Sequence, residues 1–177
     1  SFIRILSNLL VSRGYSIVNG YGLGVGTHVI NGVAEYAYSN RNIGVGDRLT
    51  LMSFPQTAIN NEILKETWSS YRSEMIKKCG ISIFMFGNKD KDGETIMADG
   101  MEEEFEICLQ HNVIPIPIGA TGYVSKSLWD KVTSELQSYY PDNTELHNAI
   151  RELGKDNPTK EEIINNTIKA INILQKL

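Results

Sequence analysis

Apolar positions recur along this chain with two periods, and their alternation marks out its elements. Phe2, Ile5, Leu6, Leu9 and Leu10 follow i, i+3, i+4, i+7, i+8, the stripe of an amphipathic helix. That helix runs to about Arg13 and stops at Gly14, a residue suited to the position after a helix end. The β-branched run from Ser16 to Asn19 predicts a buried strand. A glycine-rich stretch follows, then a helix from about Thr27 to Tyr38, whose Gly32, Ala34 and Ala37 are small enough to lie close to a sheet. Asn40 to Asp47 is a polar connection, Leu49 to Phe54 a second strand closed by Pro55, and Gln56 to Asn61 a loop. The period is helical again from Glu62 to Cys79, where Gly80 ends it. Ile81 to Phe86, Ile-Ser-Ile-Phe-Met-Phe, is the strongest strand of the chain, and its continuous apolarity predicts burial on both faces. A loop rich in Gly, Asp and Lys spans Gly87 to Asp99, and a helix spans Gly100 to His111. The strand from Val113 to Ile118 admits Pro115 and Pro117 and ends in Gly119-Ala120-Thr121-Gly122. A helix from Ser125 to Tyr140 breaks at Pro141, and two more helices follow. The last is marked by a capping box at Thr159 and Glu162 and by a stripe of Ile163, Thr167, Ala170, Leu174 and Leu177.

Strands alternating with helices predict an α/β fold: a Rossmann-like parallel sheet flanked by helices, with extra C-terminal helices. The 177 residues fit one domain, with no internal repeat. In such folds ligands collect beyond the carboxyl ends of the strands. Three of those ends carry loop chemistry here, at Asn19-Gly20, Gly87-Asn88-Lys89 and Gly119-Ala120-Thr121-Gly122, which predicts one composite nucleotide pocket. A formal net charge of −4 argues against a broad nucleic-acid or anionic-membrane surface. No apolar run approaches the ~18 residues of a membrane span. Cys79 and Cys108 have neither CxxC nor Cys/His spacing, so no metal site is expected and both read as reduced, buried and structural. The chain opens on Ser1 inside a helix, which predicts a piece of a longer chain.

The glycine stretch holds the most chemistry. Gly20, Gly22, Gly24 and Gly26 alternate between a β-branched run and a helix, as phosphate-cradling turns do. The spacing is not that of a dinucleotide fingerprint. Gly-x-Gly-x-x-Gly read from Gly20 ends on Val25, and read from Gly22 it ends on Thr27. Nor does the strand from Leu49 end in an acid that would hold a ribose, so hydride transfer is disfavoured. Arg72, four residues after Trp68, falls in an apolar helix stripe with Met75, Ile76 and Cys79. It must snorkel out, meet a carboxylate, or face an anionic ligand. Glu104 borders the apolar face set by Met101, Phe105 and Cys108, while Glu103 and Glu106 point away. It suits either a ribose or an ion pair, with Arg72 one candidate partner. Lys89 is a surface turn lysine or a phosphate contact. Glu102, Glu103 and Glu106 read as a solvated face. His28, His111 and His147 have no nucleophile or ligand partner at useful spacing, and no catalytic residue is expected.

Taken together, Gly-Tyr-Gly-Leu-Gly-Val-Gly, the Arg72 helix, Phe-Gly-Asn-Lys89, Glu104-Phe and Gly-Ala-Thr-Gly-Tyr resemble a SLOG domain. More closely, the chain is similar to the C-terminal SLOG domain of the effectors of the bacterial Thoeris anti-phage system. In that family a sirtuin-like NAD-hydrolysing domain precedes the SLOG domain, and a TIR-domain protein makes a cyclic ADP-ribose isomer that the SLOG domain binds. The resemblance implies that Arg72 and Lys89 meet a pyrophosphate and Glu104 a ribose, with Gly22, Leu23, Gly24, Asn88 and Thr121 lining the pocket. It further implies a cytoplasmic, homodimeric or larger assembly, with no cofactor beyond the signalling nucleotide. The family's domain begins with a strand ahead of the first helix, so the pocket wall which that strand supplies is expected to be missing from residues 1 to 177. Two other readings belong to other classes. A phosphoribohydrolase of the lysine-decarboxylase-like branch would carry Pro-Gly-Gly-x-Gly-Thr-x-x-Glu, but Gly87-Asn88-Lys89 stands where that motif would be sought. Single-strand DNA binding, as in the related DprA proteins, is weakened by the acidic balance.

Overall fold

A computed structural model of the chain describes residues 1–22, 24–54 and 61–176, and of residues 61–63 the backbone alone. The fold is α/β, with parallel strand pairs flanked by eight α-helices among the described residues. The chain divides into two compact units, Ser1–Cys79 and Gly80–Leu177.

In the first unit α1 (Phe2–Ser12) packs along α2 (Val25–Ser39), burying Phe2, Ile3, Leu6, Leu10 and Val11. Gly32 is what lets the two helices approach. A Cβ there would lie 2.2 Å from the Arg4 carbonyl oxygen, so this glycine serves helix-on-helix contact rather than the sheet contact expected of it. β1 (Ile17–Asn19) runs parallel to β2 (Leu49–Leu51), with Ile17 opposite Leu49 and Asn19 opposite Leu51. α3 (Asn61–Ile76) follows; Leu64 and Trp68 are half-buried on it and Ile76 buried. The expected loop from Gln56 lies outside the described residues up to position 60.

In the second unit β3 (Ile81–Phe84) runs parallel to β6 (Ile114–Pro117), in the register Ile81 to Ile114 and Phe84 to Pro117. Ile114 and Ile118 donate their N–H groups to the Gly80 and Phe84 carbonyls, at 3.0 and 2.9 Å. Backbone direction alternates along a strand, so Pro115 and Pro117, which have no N–H, turn their nitrogens away from β3 and cost this pairing nothing. Between these strands the expected loop is instead a hairpin, β4 (Asn88–Lys91) and β5 (Glu94–Met97), with Lys91 opposite Glu94. Its turn residues Asp92 and Gly93 both have positive φ, 55° and 84°, the geometry that matches hairpin twist.

α4 (Asp99–Gln110) carries Phe105, fully buried with its ring 5.7 Å from Phe84. Truncating so buried a phenylalanine costs about 3–5 kcal/mol. The helix expected from Ser125 to Tyr140 is two: α5 (Tyr123–Ser134) and α6 (Leu136–Tyr139), separated at Glu135. Trp129 of α5 lies against Gly119 and Gly154 and donates its indole N–H to the Ile150 carbonyl at 2.7 Å. Tyr140 is buried; its hydroxyl donates to the Pro115 carbonyl at 2.6 Å, and burial pushes its pKa far up. α7 (Thr144–Glu152) packs on α8 (Lys160–Leu174). The capping box is present, Thr159 accepting the Glu162 N–H at 3.1 Å and Glu162 accepting the Thr159 N–H at 2.7 Å. The buried face of α8 is turned slightly from the expected stripe and comprises Ile164, Thr167, Ile168, Ala170, Ile171 and Ile173.

Candidate functional site

The residues expected to bind ligand fall into two groups, one in each unit. Gly22, Gly24 and Arg72 belong to the first, and Asn88, Lys89, Glu104 and Thr121 to the second. Leu23 lies outside the described residues.

In the first unit three of the four glycines are required, for one of two reasons. A Cβ on Gly20 would meet the Phe54 ring at 2.7 Å, and one on Gly26 would meet the Tyr21 Cα at 3.0 Å, so both are required by packing. Gly24 has φ +84°, open to glycine at little cost. Gly22 is bound by neither constraint: its φ lies outside the left-handed region, and no atom of the described residues comes within 4 Å of the place a Cβ would take. The loop is shaped by Asn19, whose Oδ1 accepts the Tyr21 N–H at 2.8 Å and holds Tyr21 at φ 56°, and by the Gly26 N–H donating to the Gly22 carbonyl at 3.0 Å. It delivers exposed backbone at Gly22 and Gly24 ahead of the N-terminus of α2, where the aligned peptide dipoles favour an anion.

Arg72 is half-buried, as its place in the stripe predicts. Its guanidinium lies 5.3 Å from the centroid of the Phe54 ring, and that ring also covers Gly20 and sits 6.3 Å from Tyr71. A planar delocalised cation on an aromatic face is favourable by about 0.5–1 kcal/mol where exposed. Glycine loop, Phe54 and Arg72 thus form one layered group. Phe54 was not among the expected site residues; its signal was an aromatic closing a strand just before Pro55.

In the second unit the bends at the ends of β3 and β6 are tied to each other. Phe86 has φ 62°, a left-handed conformation that is an outlier for a bulky residue and costs of the order of 1–3 kcal/mol. It is held by both its backbone groups: its N–H donates to Thr121 Oγ1 at 2.7 Å, and its carbonyl accepts the Ser125 N–H at 2.9 Å. The Thr121 hydroxyl in turn donates to the Ile118 carbonyl at 2.8 Å. The Thr121 N–H also donates to the Ile118 carbonyl, at 3.0 Å, so what Thr121 retains for a ligand is one hydroxyl lone pair and its methyl group. Ser125, fully buried, reaches the Phe84 carbonyl at 2.9 Å and the Ile118 carbonyl at 3.0 Å, stitching the two strand ends together. Gly87 follows with φ 90°, and a Cβ on it would strike Met101 Sδ and Val124 Cβ, both at 2.7 Å. Glu104, half-buried, comes three residues after Met101 on the same side of α4.

The hairpin springs from Gly87, whose carbonyl accepts the Ala98 N–H at 2.8 Å. Asn88 and Lys89 lie on its first strand and are exposed. Lys89 is engaged: its Nζ donates to Asp99 Oδ1 at 2.5 Å, and that hydrogen bond lowers the Asp99 pKa from the usual carboxylate value against the opposing effect of burial. The acidic face of α4 is also less solvated than expected. Glu106 accepts from Lys131 at 2.7 Å, which raises the Lys131 pKa, and the Lys131 ammonium lies 5.1 Å from the Phe105 ring centroid. A groove of about 420 Å³ runs there, lined by Asp99, Glu102, Glu103, Glu106 and Lys131 among others, and one of about 380 Å³ lies by Val113 and Tyr139. Neither is lined by Asn88, Lys89, Glu104 or Thr121.

His147 is structural, its Nε2 2.7 Å from the Tyr140 carbonyl oxygen. Neither cysteine is in a disulfide; Cys108 is buried as expected and Cys79 only half-buried. Among the described residues no cluster of His, Cys, Asp and Glu is suited to a metal ion, and no helix is long and apolar enough to cross a membrane.

Residues 1–174 match the family model of the Sir2- and TIR-associating SLOG family. The chain belongs to that family. It is similar to the NAD(+) hydrolase ThsA of Bacillus cereus, 41% identical over 174 residues that cover 98% of this chain and 36% of that protein. The proteins of the same name from Cytobacillus dafuensis and Enterococcus faecium are 39% and 35% identical, over 98% and 99% of this chain and 35% of theirs. This SLOG chain therefore spans about a third of the length of these relatives.

Proposed function

We propose that residues 1–177 are one regulatory SLOG domain that binds a cyclic ADP-ribose isomer and thereby activates an NAD hydrolase in bacterial anti-phage defence. The observation that carries this reading is the match of nearly the whole chain to a family named for its association with Sir2 and TIR proteins, together with its similarity to about a third of proteins named NAD(+) hydrolase. On this reading hydrolysis belongs to a sirtuin-like domain outside these residues. The nucleotide comes from a TIR-domain protein of the Thoeris system, and it acts as a signal rather than a cofactor. The domain itself catalyses nothing, works in the cytoplasm and assembles as a homodimer or larger oligomer.

The site supports a bound nucleotide in physical terms. Arg72 and Lys89 are the cations for a pyrophosphate, each charge-assisted hydrogen bond contributing on the order of 1.5–3 kcal/mol. Glu104 accepts from ribose hydroxyls. Gly22, Leu23 and Gly24 bring backbone close, and Asn88 and Thr121 complete the lining. Binding becomes a signal only if the ligand favours one of two arrangements of the protein; equal affinity for both would shift nothing. Calorimetric titration with NAD, ADP-ribose and the cyclic ADP-ribose isomers tests the reading, with at least one cyclic isomer expected to bind more tightly than either linear compound. Release of free adenine from AMP by this chain would overturn it in favour of a phosphoribohydrolase.

A further inference from the structure

The Lys89–Asp99 pair is built into the fold. Lys89 sits opposite Ile96 on the hairpin, and the Ala98 N–H closes the hairpin's base on the Gly87 carbonyl. Asp99 is the next residue and the first of α4, so the same closure that makes the hairpin brings a carboxylate to the Lys89 ammonium, at 2.5 Å. Both groups face water: the Asp99 side chain is 85% exposed and that of Lys89 46%. An exposed pair of this kind is weak. It fixes where the cation spends its time without barring exchange for a stronger anion. Asp99 is also provided for once the lysine leaves, since it lies in the first turn of α4, where the helix dipole favours a negative charge. Glu102, Glu103 and Glu106 line the same groove as Asp99, and their charge favours its keeping a cation.

We propose that Asp99 is a built-in competitor at the ligand site: it occupies Lys89 in the empty protein, and a ligand that presents its own phosphate to that ammonium must take the lysine from it, so Asp99 sets how tightly the site holds a phosphate. This rests on the reading of Lys89 as a phosphate contact. A nucleoside offers no anion for the exchange and leaves the pair intact. A pyrophosphate-bearing nucleotide replaces one charged partner with another and releases Asp99 to the helix end.

The test is calorimetric titration of the intact chain and its Asp99→Asn, Asp99→Ser, Lys89→Ala and Lys89→Ala/Asp99→Asn variants, with the cyclic ADP-ribose isomers and with adenosine. Removing the competitor should tighten the best-bound cyclic isomer by about two- to fivefold, the range set by an exposed pair. It should leave any adenosine affinity unchanged and have no effect in the Lys89→Ala background. Unchanged or weaker binding by both Asp99 variants, with Lys89→Ala still weakening the complex, overturns the role of Asp99 and leaves the site reading standing. Equal tightening with and without Lys89 also overturns it, because Asp99 then acts as a general repulsive charge. A Lys89→Ala chain that binds like the parent, or a parent that binds no cyclic isomer, sinks the reading of the site itself.

Discussion

The two places where parallel strands end in this molecule are built in opposite ways. After β1 the chain offers mostly backbone: an Asn19 turn, the exposed peptide units of Gly22 and Gly24, and one cation, Arg72, laid on an aromatic ring. After β3 and β6 side chains dominate. The hydroxyls of Thr121 and Ser125 bind three backbone groups of the bends, the Phe86 N–H and the Phe84 and Ile118 carbonyls, and the hairpin that follows carries Asn88 and Lys89. Exposed peptide N–H groups donate to any phosphate that approaches, whereas side chains fixed by a strained and fully bonded backbone act at set positions. On the proposed function, the first end is suited to holding a nucleotide and the second to choosing one. The largest test of that contrast is Arg72→Ala. It should lose roughly tenfold to a hundredfold in affinity for the signalling nucleotide, from charge-assisted bonds of about 1.5–3 kcal/mol. Folding stability should fall by only about 1 kcal/mol, the scale of a cation on a ring. Calorimetry and thermal unfolding on the same preparation check both numbers, and unchanged affinity in a folded Arg72→Ala protein would remove Arg72 from the site.

Thr121→Val is the next in size and tests the other end. Valine keeps the shape but removes the oxygen that accepts the Phe86 N–H, which costs about 1–2 kcal/mol for a part-buried donor left without its partner. Because the lost bond holds Phe86 in a strained conformation, the bend relaxes and the hairpin beyond it loses its fixed origin. Stability and nucleotide affinity should fall together, amide exchange at Phe86 should quicken, and Thr121→Ser should restore all three. If affinity falls while Phe86 exchange stays slow, Thr121 touches the ligand directly and the contrast between the two ends weakens.

The sequence made much of this legible where burial follows a period. The capping box of α8 and the place of Arg72 in an apolar stripe needed only spacing, because both are local properties of a helix. The hairpin was not legible, for a physical reason: it is exposed except at Ile96, half-buried, so it has no apolar alternation, and its one signal was Asp92-Gly93 at the turn. The break at Glu135 has neither glycine nor proline, and the residues themselves do not announce it. Among the proposed site residues, Arg72, Lys89 and Glu104 stood out because charge beside an apolar stripe or at a strand end is conspicuous. Phe54, Ser125 and Asp99 did not, because their roles depend on partners 18 to 41 residues away or on a hairpin that returns the chain on itself.

The smallest effect sharpens the comparison most. Gly22 and Gly24 look alike in the sequence, but Gly24 is held at φ +84° and Gly22 is not in the left-handed region. Gly24→Ala should therefore cost about 1 kcal/mol or more of stability through its backbone alone. For Gly22→Ala nothing in the described structure resists the methyl group, and alanine loses less chain entropy on folding than glycine, so stability should stay within about 0.5 kcal/mol or rise slightly. Any fall in nucleotide affinity then belongs to the ligand's own approach and not to a disturbed fold. A severalfold loss of binding at unchanged melting temperature would establish the backbone of Gly22 as a contact surface. Full affinity would mean that the glycines serve only packing, at Gly20 and Gly26, and backbone conformation, at Gly24, and the first strand end would keep only Arg72.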